Sequence, residues 1–258
     1  MKILVCVKQV LDPSGLTINR KAEKVFINRE EFILEPASKA ALEAANGLKQ
    51  AGAEVIAISV GPERVQDGLR EALARGADRA IWIRSEGGDA LVIANLIAAA
   101  ARKIGEIDLI VTGYQSLDTG AGELAPRLAE ALDWPQILGA EKIDANADGG
   151  LKAIIARSSV PAGGHFLQVE ASLPVVVSML PEAYRGSYTD GWRLMDAYKQ
   201  WTVEAWSTAD LDLGEDDLRP LTIKKEDAFP PERQPGTSVS DVKELVTMLK
   251  REKVIPNY

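Results

Sequence analysis

The segment Gly113-Tyr-Gln-Ser-Leu-Asp-Thr-Gly-Ala-Gly-Glu-Leu-Ala-Pro126 holds the residue types that can cradle a phosphate. Thr119, Gly120 and Gly122 let the backbone approach an anion closely, and the amides of a following helix add the positive end of its dipole. Gly113, Gln115 and Asp118 belong to the same loop and share its candidacy. Ser59-Val60-Gly61-Pro62 places a glycine and a helix-initiating proline just after an apolar run, so the next helix start can receive an anion or an adenine edge. Lys8-Gln-Val-Leu-Asp12 follows another apolar run, where its backbone and Asp12 meet a base edge or form a solvated turn. Cys6, inside Ile3 to Val7, reads as a small core residue whose backbone can still line a base pocket. His165, beside Gly163-Gly164, reads as a turn residue. With Cys 1 and His 1, the chain contains no internal disulfide, no cysteine metal cluster and no multi-histidine site, and no nucleophile stands with a base.

These loops need a scaffold that brings them together. Lys2 to Lys8, Val55 to Val60, Ala80 to Ile83 and Leu109 to Thr112 read as short buried strands. Alanine-rich amphipathic stretches lie between them, at Ala37 to Ala51, Glu63 to Arg75, Asp89 to Lys103 and Gly122 to Leu132. The alternation predicts an α/β fold, a mostly parallel sheet with helices on both faces, and ligands in such sheets bind outside the carboxyl ends of the strands. From Trp134 the pattern changes to an added hairpin, Leu151 to Ala156 and His165 to Glu170 around Pro161-Ala-Gly-Gly164, followed by the strand Leu173 to Met179. Residues 1–206 are expected to form the α/β domain, and residues 207–258 an extended acidic arm ending in a helix. In that helix Val242, Leu245, Val246 and Leu249 make one apolar stripe, which docks on another chain or folds back on its own domain.

Asp+Glu 38 against Lys+Arg 30, a net charge of -8, argues against broad binding to nucleic acid or to anionic lipid. The apolar opening is interrupted by Lys8 without a cleavage-site pattern, and Ala90 to Ala101 is too short to span a bilayer, so no membrane insertion and a cytoplasmic location are expected.

Several segments in order resemble the beta subunit of electron-transfer flavoprotein: Ile3-Leu-Val-Cys-Val-Lys-Gln-Val-Leu-Asp12, Leu69 to Ala80, Gly113-Tyr-Gln-Ser-Leu-Asp118 with Asp133-Trp-Pro-Gln136, and Leu173-Pro-Val-Val-Val-Ser178. The resemblance implies an adenine-nucleotide-binding type of α/β fold and an electron carrier rather than an enzyme. It implies a heterodimer with an alpha subunit that holds most of an FAD, with AMP or, in electron-bifurcating relatives, a second FAD in this chain; an empty site is the third alternative. It also implies that the loops at Lys8, Val60-Gly61 and Gly113 to Leu124 serve the nucleotide.

The chain departs from that family in three places. Gly122-Glu123-Leu124 replaces a polar stretch, which brings a carboxylate close to any phosphate unless Glu123 points outward. Leu34-Glu35-Pro-Ala37 stands where relatives carry an asparagine, so Glu35 either accepts from the adenine amine or simply precedes the helix opened by Pro36. The segment corresponding to the family's dehydrogenase-docking loop, near Tyr184 to Tyr198, reads Asp190-Gly191-Trp192-Arg-Leu194-Met195 and keeps little of the basic stretch beyond Lys199. The aromatics Tyr184, Tyr188, Trp192, Tyr198, Trp201 and Trp206 gathered there suit either an interface or packing against the chain's own arm.

Overall fold

The computed structural model describes residues 1–144, 153–157, 166–184, 187–223, 225, 228–233 and 235–256. Its contacts divide it into two compact units, Met1–Ile223 and Lys224–Tyr258. The first unit runs, in chain order, through β1 (Lys2–Cys6), β2 (Gln9–Leu11), β3 (Leu16–Asn19), β4 (Lys24–Ile27), β5 (Phe32–Leu34), α1 (Pro36–Gly47), β6 (Glu54–Gly61), α2 (Val65–Ala74), β7 (Arg79–Arg84) and α3 (Ala90–Ile104). It continues through β8 (Leu109–Gly113), α4 (Leu124–Leu132), β9 (Gln136–Asp144), β10 (Ala153–Arg157), β11 (Phe166–Val169), β12 (Val175–Met179), α5 (Gly191–Lys199) and β13 (Glu204–Ser207). The second unit carries α6 (Val242–Arg251).

The main sheet has the order β11-β10-β9-β12-β8-β1-β6-β7-β13. From β9 to β13 every neighbouring pair is parallel, and β10 and β11 extend the β9 edge as antiparallel strands. The central strands read as nearly continuous Val, Ile and Leu because both faces are covered. In β1, Ile3 and Val5 join the core beneath α1 and α2, while Leu4 and Cys6 join the core beneath α3 and α4.

The sheet's connectivity decides where a ligand can sit. After β1 the chain passes through α1 to β6 and through α2 to β7 on one side of β1, then returns through α3 to β8 on the other side. The strand order therefore reverses between β1 and β8, and in open α/β sheets the crevice beyond that point is where ligands lie. Asp89 starts α3 by accepting from the amides of Leu91 and Val92, each at 3.1 Å.

The hairpin expected after Trp134 is present as β10 and β11. Its turn, Pro161-Ala-Gly-Gly164 with His165, lies outside the described residues. Three features extend or correct the sequence reading. β9, which pairs with β12, was not anticipated. The segment read as aperiodic holds α5 and β13, because Leu194, Ala197 and Trp201 recur at helical spacing and pack on the core while the intervening side chains face outward. Residues 207–223 belong to the compact unit rather than to an arm beginning at 207. Leu211 is buried, and Asp89 accepts from the amides of Leu221 and Thr222 at 2.7 and 3.0 Å.

α1 crosses close over the end of β8. A Cβ built at Gly113 would stand 2.7 Å from the Ala37 Cβ and 3.2 Å from its carbonyl carbon, so the helix and strand meet only because this residue has no side chain. Gly113→Ala should lower the unfolding free energy by about 1–3 kcal/mol in urea titrations, the cost of overpacking a filled contact.

Candidate functional site

Because β1 and β8 pair in register, Ile3 with Leu109 through Val5 with Val111, the segments leaving their carboxyl ends emerge side by side. The Lys8 ammonium donates to the Asp118 carboxylate at 2.6 Å across that exit. Beneath it lies Glu35, only 3% exposed. Its own amide donates to the Lys8 carbonyl at 2.9 Å. One carboxylate oxygen accepts the Leu117 amide at 2.7 Å, and the other accepts the Ser38 hydroxyl at 3.3 Å. Ser38 completes the circuit by accepting the Lys8 amide at 3.0 Å. The exits of β1 and β8 and the start of α1 are thus joined through one buried carboxylate.

Burial pushes the Glu35 carboxyl above its ordinary value, and the Leu117 amide, the Lys8 charge and the Ser38 hydroxyl offset this only in part. Asp118 goes the other way. Partial burial works against its charge, but the Lys8 and Ser116 hydrogen bonds, the Lys8 charge and the Thr119 amide hold its carboxyl below the usual range.

The loop above is folded tightly on itself. The Thr119 amide donates to Asp118 at 2.8 Å, the Ser116 and Thr119 hydroxyls share a hydrogen bond of 2.6 Å, and the Gly120 amide donates to the Ser116 carbonyl at 2.7 Å. Gly120 and Gly122 take φ of 63° and 66°, left-handed conformations that favour glycine. At Gly122 a Cβ would also crowd Gln115 and the Tyr114 carbonyl at 3.3 Å. α4 then begins without a side-chain cap, so its first amides have no cap acceptor and suit an anion. Glu123 stands at this start, and Arg127 one turn on grips its carboxylate with two donors at 2.6 and 2.9 Å. The Glu123 carboxylate is thus paired within its own helix. Leu124 is half-buried on the second core.

Other expected site residues lie apart from the Glu35 circuit. Val60 and Gly61 end β6 on the far side of β1, where the Gly61 carbonyl accepts the Trp82 indole at 2.8 Å. Asp12 caps the turn Pro13–Gly15 through the Ser14 amide at 2.9 Å and pairs with Arg29 at 3.5 Å. The two Ser14 hydrogen bonds chiefly hold its carboxyl below the usual range. It builds the base of the β3–β4 hairpin rather than joining Lys8. Cys6 is buried and its thiol is pushed up to about 12 by that burial, which makes it an inert core residue. Sequence reasoning missed Ser38, Leu117 and Arg127; the spacings of Glu35 to Ser38 and Glu123 to Arg127, one helical turn each, were the available signals.

The aromatic segment divides in two. Trp201 and Trp206 pack against the cores and Tyr184 is half-buried, while Tyr188 and Trp192 are 102% and 76% exposed. α5, which carries Trp192, is capped by Asp190 and held against the end of α2 by Arg193, whose guanidinium donates to the Ala74 carbonyl at 2.8 Å.

Glu35→Ala should cost about 1–3 kcal/mol, the price of an unpartnered Leu117 amide and a lost charged hydrogen bond. Glu35→Gln keeps an acceptor but no charge. A carboxyl raised in the folded state contributes stability below its unfolded value that is lost as pH climbs through the raised one. The wild-type chain should therefore lose stability across that window relative to Glu35→Gln, as followed by urea melts at a series of pH values.

The electron transfer flavoprotein domain pattern matches residues 24–211 of the chain. The Caffeyl-CoA reductase-Etf complex subunit CarD of Acetobacterium woodii is 29% identical over 99% of this chain and 100% of its own length. The electron transfer flavoprotein subunit beta of Clostridium acetobutylicum is 30% identical over 99% of this chain and 100% of its own. Protein FixA of Azorhizobium caulinodans is 34% identical over 81% of this chain and 76% of its own. With the reversal of strand order between β1 and β8 and the glycine-bearing loop in place, these matches put the chain in the electron transfer flavoprotein family, among its beta subunits.

Proposed function

We propose that the chain is the beta subunit of a heterodimeric electron carrier, covering an FAD held mainly by an alpha subunit and binding AMP in its own strand-end crevice. The observation that carries the nucleotide reading is the pairing of a glycine loop, hydrogen-bonded within itself, with the uncapped start of α4 at the point where the strand order reverses. The amides from Gly120 to Leu124 would take phosphate oxygens, and the exits of β1 and β6 would face the base. Flavin, when bound, supplies the redox chemistry; the protein's part is to hold and shield it. Glu35 serves this site indirectly, since it is only 3% exposed and both of its oxygens face donors of the chain itself.

The exposed Tyr188 and Trp192 on and beside α5 are proposed to dock the electron donor, a dehydrogenase. In the second unit, Asp241 caps α6 through the Glu244 amide at 2.8 Å, and Val242, Leu245 and Val246 are exposed along one stripe. That stripe is proposed to dock on the alpha subunit. Among the described residues no helix is long and apolar enough to cross a membrane.

Heat release of cofactors from the purified heterodimer should yield equal amounts of FAD and AMP. Two flavins and no AMP would favour an electron-bifurcating component with a second FAD in this chain, and one flavin alone would leave the crevice without a nucleotide role. Because Arg127 already pairs with Glu123, Glu123→Gln should change AMP affinity by no more than about twofold in calorimetric titration. Truncation after Ile223 should leave the sheet folded and abolish heterodimer formation on size exclusion.

A further inference from the structure

Adjacent residues leave the exit of β1 in opposite directions. Lys8 reaches Asp118 after β8, whereas Gln9 meets Arg64 after β6, and β8 and β6 flank β1 on its two sides. The Arg64 guanidinium donates to the Gln9 carboxamide oxygen at 3.2 Å and lies over the Phe32 ring, 4.0 Å from its centroid. A planar guanidinium can stack on a ring and donate to a neighbour at the same time, which a lysine ammonium cannot match. Gln9 and Phe32 belong to β2 and β5, which pair only with each other and form a two-stranded ribbon beside the strand exits. Contacts must therefore hold that ribbon in place. Its Glu35 end is tied to α1 and to the loop after β8. Its underside lies on α2, where a Cβ at Gly68 would stand 3.6 Å from Leu34 and 3.7 Å from Gln9. Arg64 links it to the turn that follows Gly61. Although Arg64 stands at the start of α2, its side chain does not cap that helix and serves the ribbon instead.

We propose that Arg64 is a positioning residue for the base side of the crevice: stacked on Phe32 and bonded to Gln9, it holds the turn of residues 61–64 at a set distance from the exit of β1. The inference rests on the nucleotide reading above, in which phosphates meet the start of α4 and the adenine of AMP lies between the exits of β1 and β6. Those two strands pair in parallel up to Cys6 with Ile58, so the gap beyond them is fixed by whatever joins the segments that follow. Arg64 joins them without needing to touch the nucleotide. The Lys8–Asp118 pair and the Glu35 circuit act on the other side of β1, toward β8 and α4. The two halves of the ligand are thus governed by separate contacts. Arg64 is exposed, and a cation stacked on a ring at the surface is a weak interaction, so its loss should cost affinity about two- to fivefold rather than abolish binding.

The test is calorimetric titration of AMP into the nucleotide-free heterodimer carrying the full wild-type chain, Arg64→Ala, Phe32→Leu, both together, or Phe32→Tyr. Each of the first two variants should raise the AMP dissociation constant about two- to fivefold, and the double variant no further than either alone, because the two residues form one contact. Phe32→Tyr keeps the ring and should bind as the wild type does. Hydrogen exchange separates positioning from general loosening. AMP should protect the amides of Val60, Gly61, Glu63 and Arg64 and those of Gly120 to Leu124 in the wild type; Arg64→Ala should lose the first gain and keep the second. Wild-type binding that neither Arg64→Ala nor Phe32→Leu weakens would overturn the proposal and leave the nucleotide reading standing. Weakening confined to Arg64→Ala would mark the guanidinium as a charge acting on the phosphates, and an equal loss of protection at Gly120 to Leu124 would mark a general loosening; either would also overturn it. A wild-type heterodimer that binds no AMP would overturn both readings.

Discussion

A buried carboxylate that ties two strand exits together is the interaction on which the candidate site depends. Glu35 receives the Leu117 amide from the loop after β8 and the Ser38 hydroxyl from the first turn of α1, while its amide holds the Lys8 carbonyl after β1. A charge so little exposed is costly to bury, and the upward push on its carboxyl expresses that cost. What offsets it in part is the Leu117 amide, the Ser38 hydroxyl and the nearby Lys8 charge. The segments cannot separate without stranding a charge in the core.

The rest of the site follows. With Leu117 anchored, Asp118 meets Lys8 and folds the loop back through Thr119 and Gly120, and the two left-handed glycines deliver the chain to α4 with its first amides uncapped. Gly113 lets α1 lie against β8 closely enough for Ser38 and Glu35 to reach across.

The parallel sheet was legible because β1, β6, β7 and β8 are buried on both faces and so read as unbroken apolar runs separated by amphipathic helices. β9 was not, because it alternates buried and exposed positions next to segments dense in turn residues. α5 escaped because Trp192, Met195 and Tyr198 turn outward and blur its apolar period. In the site, the loop from Gly113 to Leu124 was visible from its glycines and its place after a strand. Glu35 was noticed for its residue type, but its inward role was not visible: a carboxylate before a proline can face a ligand or the core, and only the pairing of β1 with β8 brings Leu117 to it. The pairing of Glu123 with Arg127 lay in their one-turn spacing, which the loop's glycines do not signal.

The most direct measurement is hydrogen exchange at the Leu117 amide in the chain without nucleotide or partner. Leu117 is 52% exposed, so without the Glu35 contact its amide should exchange as a surface loop amide does. The expected result is clear protection in the wild-type chain that falls at least tenfold in Glu35→Ala, with amides of β1 and β8 unaffected. An unprotected Leu117 in the wild-type chain, or protection that survives in Glu35→Ala, would contradict the claim that this carboxylate sets the loop.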